Sequence, residues 1–573
     1  MRRLGVLAIA GAVACGRSGA APVPAVTLAR TADSLDLIIA STTDTHGWLR
    51  GWDYFGNAPD TTRGLSRIAT VVDSLRAANP DRVVLVDAGD DLQGTPLATV
   101  ALTDSLLPNP IVAAMNAARY DAAVIGNHEF NYGLSYLNGA VAQAKFPFIA
   151  CNVYHPNGSH AYPPWEVIMR SGVRVAVVGG TTPGSMIWDR DKLRGRLQVR
   201  DIVTSVREAV AVVRAIGADV VVVVLHSGLN EPSSYDTVAT GLPSENVSAR
   251  VAREVAGIDL VIFGHTHKEL ADTLIRGVLL TQPRNWAGSV SVARLRVVRQ
   301  GSRWKVVNKG ARLIRARGHQ EHRAVLGASA EAHARTVQYA MSALGTTPAA
   351  WRADSARVRD TPIIDFVLEI ERRTAGTDLS STAAFNLNAE FGPGAITMAD
   401  MAELYPYDNN VLRALKISGK QLRDYLEFSA RYFRGGTHPD SLVDPTVPGF
   451  NFDIVQGVDY TIDISRPIGS RITRLSRKEG GIGRPVADAD SFTMALNDYR
   501  QVGGGGYAML RGAPLVYDQQ QVIRELLVDE VRRKGVLRPE DYFAHNWRIE
   551  PDSLADAVYR SMRRLPYDRP RAP

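Results

Sequence analysis

Five short apolar runs in the first half of the chain each end at side chains of the kinds that bind metal ions. The runs are rich in β-branched residues, which predicts strands buried on both faces of a sheet. Ligands bind at the carboxyl ends of strands in open α/β sheets, so we expect these side chains to converge at one edge. The set comprises Asp44, His46, Asp90, Asn127, His226, His265 and His267. Asp87 lies within one strand end and is expected either to bind an ion or to orient its neighbours.

The chemistry of this set favours borderline divalent cations. It combines imidazole, carboxylate and amide groups without a thiolate, which suits zinc, manganese, iron or cobalt. Seven ligands exceed what one tetrahedral ion needs, and they fit two ions about 3.5–4 Å apart, as in two-metal phosphatases. The sequence therefore predicts two divalent metal ions, with Mn, Zn, Co, Fe and Mg all left open.

The order of these blocks resembles the calcineurin-like metallophosphoesterases. The matching motifs are Asp44-x-His46, Gly89-Asp90, Gly126-Asn127-His128-Glu129, His226 and Gly264-His265-x-His267. The resemblance implies two ligand groups bridged by Asp90, namely Asp44, His46 and His267 for one ion and Asn127, His226 and His265 for the other. It also implies that Asn127 and His128 contact the phosphate, and that His128 contacts the leaving oxygen.

Composition places the chain among globular proteins with a large core. It has 573 residues, of which 45% are hydrophobic and 22% charged, and length alone predicts two or more domains. The formal net charge is +7, and no tract of five or more basic residues occurs. This mildly basic surface tolerates anionic substrates but lacks the footprint of a protein that binds nucleic-acid polymers. We expect a monomer that acts on small anionic substrates.

Residues 1–34 are predicted to be a signal peptide with a lipobox, followed by a tether. Arg2 and Arg3 precede an apolar run that ends at Ala14, and Cys15 stands where a bacterial lipoprotein is acylated. Ordinary cleavage near residues 20–21 is the alternative. Either reading predicts an exported, periplasmic protein, and the lipobox adds a lipid anchor in the outer membrane as the only membrane contact.

The remaining chain divides into two predicted domains. Over residues 35–320 strands alternate with amphipathic helices, and the family resemblance implies a four-layer αββα metallophosphoesterase domain. Residues 321–350 are predicted to be a linker, with a single helix over residues 322–344. Residues 351–550 are predicted to form a second, α+β domain, and residues 551–573 a tail.

Two aromatic residues in the second domain stand out. Tyr407 lies in a Tyr-Pro-Tyr-Asp stretch, and Tyr499 precedes four consecutive glycines, Gly503–Gly506, which could let a ligand approach the backbone. Both stretches resemble the carboxy-terminal domain of the bacterial periplasmic 5′-nucleotidase family, over a similarity that runs from about Leu35 to Trp547. The resemblance implies that Tyr407 and Tyr499 clamp the nucleobase.

The motif around His128 points to one branch of that family. The 5′-nucleotidases usually have Asp where this chain has Asn131, whereas Gly-Asn-His-Glu-Phe-Asn-Tyr-Gly resembles the 2′,3′-cyclic-nucleotide 2′-phosphodiesterases/3′-nucleotidases. Asn131 is uncharged, so it is expected to orient the His128 ring. The stretch 386–394 lacks the arginine that this family often uses for phosphate or ribose, and Gly503–Gly506 lacks the usual carboxylate, so ribose recognition is left open.

These patterns predict hydrolysis of 2′,3′-cyclic nucleotides and of 3′-nucleotides, with closure of the two domains about the linker. A 5′-nucleotidase or UDP-sugar hydrolase on the same scaffold is the nearest alternative. A non-catalytic surface lipoprotein that binds nucleosides is the alternative of another class, although such a protein has no need of seven metal ligands.

Overall fold

The computed structural model describes residues 33–562, except 107, 234, 236, 409, 435–441 and 480–481. The predicted signal peptide with Cys15, and the end of the predicted tail, lie outside these residues. Within the described part of the chain, none of the helices combines the length and apolar character needed to cross a bilayer.

Two six-stranded mixed sheets form the centre of the amino-terminal unit. Buried valine-rich runs such as Val220–His226 build them, as both-face burial requires. The first sheet has the order Arg303–Arg315, Ser289–Gln300, Ser34–Thr42, Val83–Asp87, Ala122–Val124 and Phe148–Ile149. The second has the order Leu270–Ile275, Val278–Gln282, Leu260–Phe263, Val220–His226, Val173–Thr181 and Trp165–Arg170. The strands that precede the predicted ligands are parallel to their neighbours within each sheet.

The predicted four-layer αββα architecture is confirmed by how the two sheets and the helices pack. One core cluster joins the facing sides of the sheets, with Ile39 and Val84 from the first and Val177 and Val222 from the second. Two further clusters join the outer faces to helices. The helices are Leu65–Ala78, Pro96–Thr103, Pro110–Ala118, Gly133–Val141, Ser185–Trp188, Arg190–Leu193, Ile202–Ala215, Thr237–Thr240 and Ser248–Glu254.

The prediction of one continuous helix between the units is wrong. The chain forms two helices, Arg323–Ala328 and Ala330–Ala340, followed by a strand at Ala343–Thr347. Ser329 interrupts the helix with φ −106° and ψ 8°, and its hydroxyl donates to the carbonyl of Val325. A side chain that bonds the preceding turn competes with regular helix geometry, which accounts for the break. Arg50 also donates to the carbonyl of Leu326, holding the break against the amino-terminal unit.

The carboxy-terminal unit has the predicted α+β character. Its five-stranded sheet has the order Asp453–Gln456, Leu379–Ala383, Ser491–Asn497, Val411–Ser418 and Leu515–Val522. A four-stranded sheet has the order Ile482–Pro485, Ile472–Glu479, Asp459–Asp463 and Trp547–Glu550. The helices are Pro362–Ala375, Met398–Leu404, Gly419–Ala430, Asp498–Gln501, Ile523–Lys534 and Asp552–Met562. The last of these lies in the span predicted as a tail, and Val558 buries it against this unit.

Candidate active site

The predicted metal ligands converge where the parallel strands of the two sheets end. The backbone there is unusual, because a left-handed φ occurs at Asp44 (48°), His46 (48°), Asp90 (65°), His265 (76°) and His267 (54°). Such conformations cost of order 1–3 kcal/mol each and cluster at functional sites. The loops also pack tightly: a Cβ on Gly264 would collide with Thr43, and one on Gly126 would collide with the Asp90 carboxylate.

Two groups of donor atoms could each hold an ion. The first is Asp44, His46 and His267, and the second is Asp90, His226 and His265; within each group the donors lie within 4.8 Å of one another. In the first group, Nε2 of His46 lies 3.1 Å from Nε2 of His267. In the second, Nε2 of His226 lies 3.0 Å from Oδ2 of Asp90.

Asn127 joins the second group. Its Oδ1 lies 3.0 Å from Nε2 of His226, where the predicted ligand role would place it. The structure thus brings all seven predicted ligands together, in the division into two groups that the resemblance implied.

The charges within the site fit divalent cations. Burial alone would raise the pKa of Asp44, but the hydrogen bond and charge of His267 lower it to about 2. Although burial also opposes ionisation of Asp90, the charges of His226 and His128 hold its pKa well below its usual range. Burial lowers the pKa of His46 to about 3, aided by the charge of His267. Buried carboxylates beside imidazole nitrogens are the donor chemistry that zinc, manganese or iron prefers.

Backbone carbonyls hold two of the histidines. The Nδ1 atom of His46 lies 2.8 Å from the carbonyl oxygen of Gln93, and Nδ1 of His226 lies 2.8 Å from that of Ala88. A histidine whose Nδ1 donates to a carbonyl presents Nε2 to a metal in a fixed orientation.

Two buried acids that sequence reasoning missed support the ligand loops. Oε2 of Glu129 accepts from the amides of Asp90 (2.8 Å) and Gly126 (2.7 Å), tying two strand ends together. Glu245 lies 2.7 Å from Nε2 of His265. Asp87 accepts from the amide of Gly89 at 2.6 Å and from Thr42, so here it orients the loop and lies outside both donor groups. Glu129 is the last residue of the Gly126-Asn127-His128-Glu129 motif, whereas no sequence pattern indicated Glu245.

His128 lies at the edge of the donor groups and is held by Asn131. Its Nε2 is 3.9 Å from Oδ2 of Asp90, and its backbone amide donates to Oδ1 of Asp90 at 2.8 Å. On the other side of the ring, Nδ1 is 2.6 Å from Oδ1 of Asn131. The predicted orienting contact between Asn131 and His128 is therefore present. Asn131 in turn donates to Asp189, a further residue that sequence reasoning missed.

Tyr407 and Tyr499 lie on the carboxy-terminal unit, and both are partly buried. The Tyr407 ring packs edge-on against Phe385, with centroids 5.1 Å apart. Burial raises the pKa of Tyr499 to about 12, with Arg500 opposing it and the charges of Glu245 and Tyr407 contributing. The clamping of a base by Tyr407 and Tyr499 stays a prediction.

The glycine run packs closely against side chains of its own unit. Gly504 lies against the ring of Tyr499, where a Cβ would come within 2.7 Å of a ring carbon. Gly505, with φ +72°, lies against Asn451 and Arg500, and Arg500 donates to the carbonyl of Gly504. The glycines make room for the protein's own side chains, and the close approach of a ligand to this backbone stays a prediction.

Both units of the chain match known domain families. Residues 37–269 match the model of the calcineurin-like phosphoesterases, and residues 343–512 match the 5′-nucleotidase C-terminal domain. The chain is 29% identical over 598 residues to the trifunctional nucleotide phosphoesterase protein YfkN of Bacillus subtilis, which covers 92% of this chain but only 40% of that protein.

Two further proteins extend the comparison. The chain is 28% identical to the 2′,3′-cyclic-nucleotide 2′-phosphodiesterase/3′-nucleotidase of Haemophilus influenzae, over 91% of this chain and 89% of that protein. A Staphylococcus aureus protein solved in complex with alpha-ketoglutarate shares the fold, with a TM-score of 0.76 and 24% identity over 90% of this chain and 100% of that one.

The fold and the site define a metallophosphoesterase, a class of enzymes that use divalent metals to hydrolyse phosphoric esters. Within that class, the chain has a calcineurin-like phosphoesterase domain followed by a 5′-nucleotidase C-terminal domain.

Proposed function

We propose that this protein hydrolyses 2′,3′-cyclic nucleotides to 3′-nucleotides, and 3′-nucleotides to nucleosides and phosphate. The observation that carries the proposal is the convergence of the two donor groups beside His128, whose Nε2 lies 3.9 Å from Oδ2 of Asp90. We expect a base stacked on Tyr499 to leave its phosphate at the predicted metal ligands. The names of the relatives, and Asn131 in place of a carboxylate, favour cyclic and 3′-nucleotides over 5′-nucleotides.

Two divalent ions would be held by the two donor groups, with Asp90 between them and Asn127 in the second. When bound, such ions supply an activated water at neutral pH and positive charge for the phosphoryl oxygens. Their identity is left among Mn, Zn, Co, Fe and Mg.

The chain's own residues supply the remaining chemistry. The Asn127 amide and the His128 ring would bind the phosphoryl oxygens, as the family resemblance implies. His128 would give a proton from Nε2 to the departing ribose oxygen as the P–O bond breaks and the electron pair passes to that oxygen. Tyr407 and Tyr499 would hold the base through its π-face, which every base offers, so base selectivity should be loose.

The test is phosphate release from three substrates in parallel with manganese or cobalt supplied. These are 2′,3′-cyclic AMP, with an added phosphatase to free its phosphate, 3′-AMP and 5′-AMP. Turnover of the first two with little of the third supports the proposal. A preference for 5′-AMP would place the protein with the 5′-nucleotidases, and inactivity on all three by metal-loaded protein would refute nucleotide hydrolysis.

We also propose that the chain is exported to the periplasm and anchored to the outer membrane through Cys15. The positive amino terminus and the apolar run before Cys15 support this. Fractionation of cells grown with labelled palmitate tests it, and the Cys15→Ala variant should lose both the label and the membrane association. Unlabelled protein in the periplasm would instead indicate ordinary signal cleavage.

A further inference from the structure

Asp189 is a buried acid that is linked to His128 through one residue, Asn131. It lies between the short helices Ser185–Trp188 and Arg190–Leu193 and is 2% exposed. Both of its carboxylate oxygens accept from Nδ2 of Asn131, at 3.0 and 3.2 Å. Lys192 donates to the same carboxylate at 2.7 Å.

These contacts determine which way the Asn131 amide faces. An ionised carboxylate can only accept hydrogen bonds, so the NH2 group of Asn131 must face Asp189. Oδ1 of Asn131 then faces Nδ1 of His128 at 2.6 Å, and because an amide oxygen cannot donate, Nδ1 must carry the hydrogen. The nitrogen left to face the substrate is Nε2.

We propose that Asp189 is a positioning residue, which fixes the Asn131 amide and through it the tautomer of His128. This rests on the proposed function, in which Nε2 of His128 protonates the leaving oxygen. With the hydrogen held on Nδ1, loss of the Nε2 proton leaves a neutral imidazole. With the amide reversed, Nδ1 would have to accept, and the same proton transfer would leave an imidazolate, which is far less favourable.

The neighbouring residues explain why this role falls to Asp189. Oxygen and nitrogen of an asparagine amide are almost the same size, so packing alone does not select one orientation. Lys192 pairs with the Asp189 carboxylate at 2.7 Å, and Trp188 in the preceding helix packs on the ring of His265, with centroids 5.7 Å apart. Trp188 thus holds the segment against the site on one side of Asp189.

The leaving group separates a positioning role from a merely structural one. The ribose 3′ oxygen of 3′-AMP needs a proton as it leaves the phosphorus, whereas p-nitrophenolate leaves as a stable anion. In metal-loaded Asp189→Asn we expect kcat on 3′-AMP to fall about 10- to 100-fold, the usual effect of losing such a supporting contact. The KM for 3′-AMP and the kcat on p-nitrophenyl phosphate should be unchanged.

Asp201→Asn is the matched control. It makes the same change of charge at the residue that caps the helix Ile202–Ala215, where the side chain accepts from the amide of Thr204 at 2.8 Å. Because asparagine caps helices as well as aspartate does, this variant should keep wild-type rates on both substrates. Equal losses on both substrates in Asp189→Asn, or no loss on either, would overturn the proposal.

An exchange of the two residues gives an independent test. Asn131→Asp alone sets two carboxylates about 3 Å apart and should lose activity on 3′-AMP, because like charges repel at that distance. Combined with Asp189→Asn, it restores one carboxylate and one amide with their places exchanged, and the new carboxylate can accept directly from His128. We expect the double variant to recover most of the activity that either single variant loses. A double variant no better than the worse single variant would overturn the proposal.

Wild-type protein distinguishes failure of this proposal from failure of the proposed function. If it does not hydrolyse 3′-AMP, the proposed function fails. The comparison is then made between glycerol 2-phosphate and p-nitrophenyl phosphate, which differ in the same way in their leaving groups. A selective loss on the alkyl ester in Asp189→Asn would still support the positioning role, and a uniform loss would refute it.

Discussion

Asp408 holds the carboxy-terminal unit against the amino-terminal one. Its carboxylate accepts from Thr99 at 2.8 Å, from Tyr132 at 2.6 Å and from the side-chain amide of Gln93, all on the other unit. Arg524, on its own unit, completes the cluster at 3.3 Å, and the Asp408 side chain is 6% exposed. We predict that Asp408→Asn shifts the two units toward an open arrangement.

The size of the shift follows from the number of donors. Asparagine is uncharged and keeps only one acceptor oxygen, so the three donors on the other unit lose a charged partner and share a single acceptor. A hydrogen bond to a charged group contributes about 1.5–3 kcal/mol, and a partner left buried without one costs about as much. Taking about 3 kcal/mol in all, at about 1.4 kcal/mol per tenfold, the closed-to-open ratio should fall about 100-fold.

Distances between spin labels would measure this directly. Asn157→Cys and Ser470→Cys place one exposed label on each unit, and Cys151 is buried and should not react. In protein carrying Asp408→Asn, the distance distribution should lengthen. If hydrolysis requires closure, kcat/KM for a nucleotide should fall with it.

The control is Asp463→Asn, which makes the same change of charge at a carboxylate that accepts from Ser465 in its own turn. It should leave both the distances and the kinetics as in the parent. Unchanged distances in Asp408→Asn would show that other contacts hold the units together, and would refute the reasoning. Lengthened distances with full activity would refute the dependence of hydrolysis on closure.

Three further predictions concern the metal and base sites. Asp90→Asn should abolish hydrolysis and lower the bound metal measured by mass spectrometry, while nucleoside binding measured by calorimetry persists; retained hydrolysis would exclude Asp90 as a ligand shared by two ions. Tyr499→Ala should lose about 1–3 kcal/mol of base stacking, seen in steady-state kinetics as a higher KM for nucleotides with turnover of p-nitrophenyl phosphate unchanged; equal effects on both substrates would exclude stacking. Burial would lower the pKa of His226, but the charge and hydrogen bond of Asp90 raise this pKa to about 10. At pH 7 the metal-free protein therefore holds a proton on His226 that an ion must displace. Zinc affinity should rise with pH up to about 10, and calorimetry in buffers of different ionisation enthalpy should detect the released proton; a pH-independent affinity would contradict this.

The part of the site that follows the strands could be predicted from the sequence. Val220–His226 and Leu260–Phe263 are recognisable as buried strands from composition alone. A ligand at the end of such a strand must lie at the carboxyl edge of the sheet. For this reason the sequence predicts that Asp44, His226 and His265 lie close together. The four layers follow from the same pattern, because each valine-rich run must be covered on both faces.

Two of the supporting acids, Glu245 and Asp189, could not be predicted, because they come from loops without periodicity. Glu245 lies between the strand Val220–His226 and the helix Ser248–Glu254, and only the folded loop carries it to His265. Asp189 follows the end of the strand Val173–Thr181, so the strand-end rule could have marked its segment, but its partner is an amide rather than an ion. The break at Ser329 was missed because a tertiary contact of Arg50, which no sequence pattern indicates, supports the local hydrogen bond that causes it.

The two halves of the site are joined through very few residues. Tyr407, which is predicted to hold the base, is followed directly by Asp408, which bonds Gln93 on the other unit. The carbonyl oxygen of Gln93 lies 2.8 Å from Nδ1 of His46, one of the predicted ligands of the first ion. A movement that separates the units must break the contact between the Asp408 carboxylate and the side chain of Gln93, whose backbone carbonyl lies against His46. The predicted base site and the predicted ligands of the first ion are thus joined through two residues, Asp408 and Gln93, and we expect Asp408→Asn to weaken metal binding as well as the contact between the units.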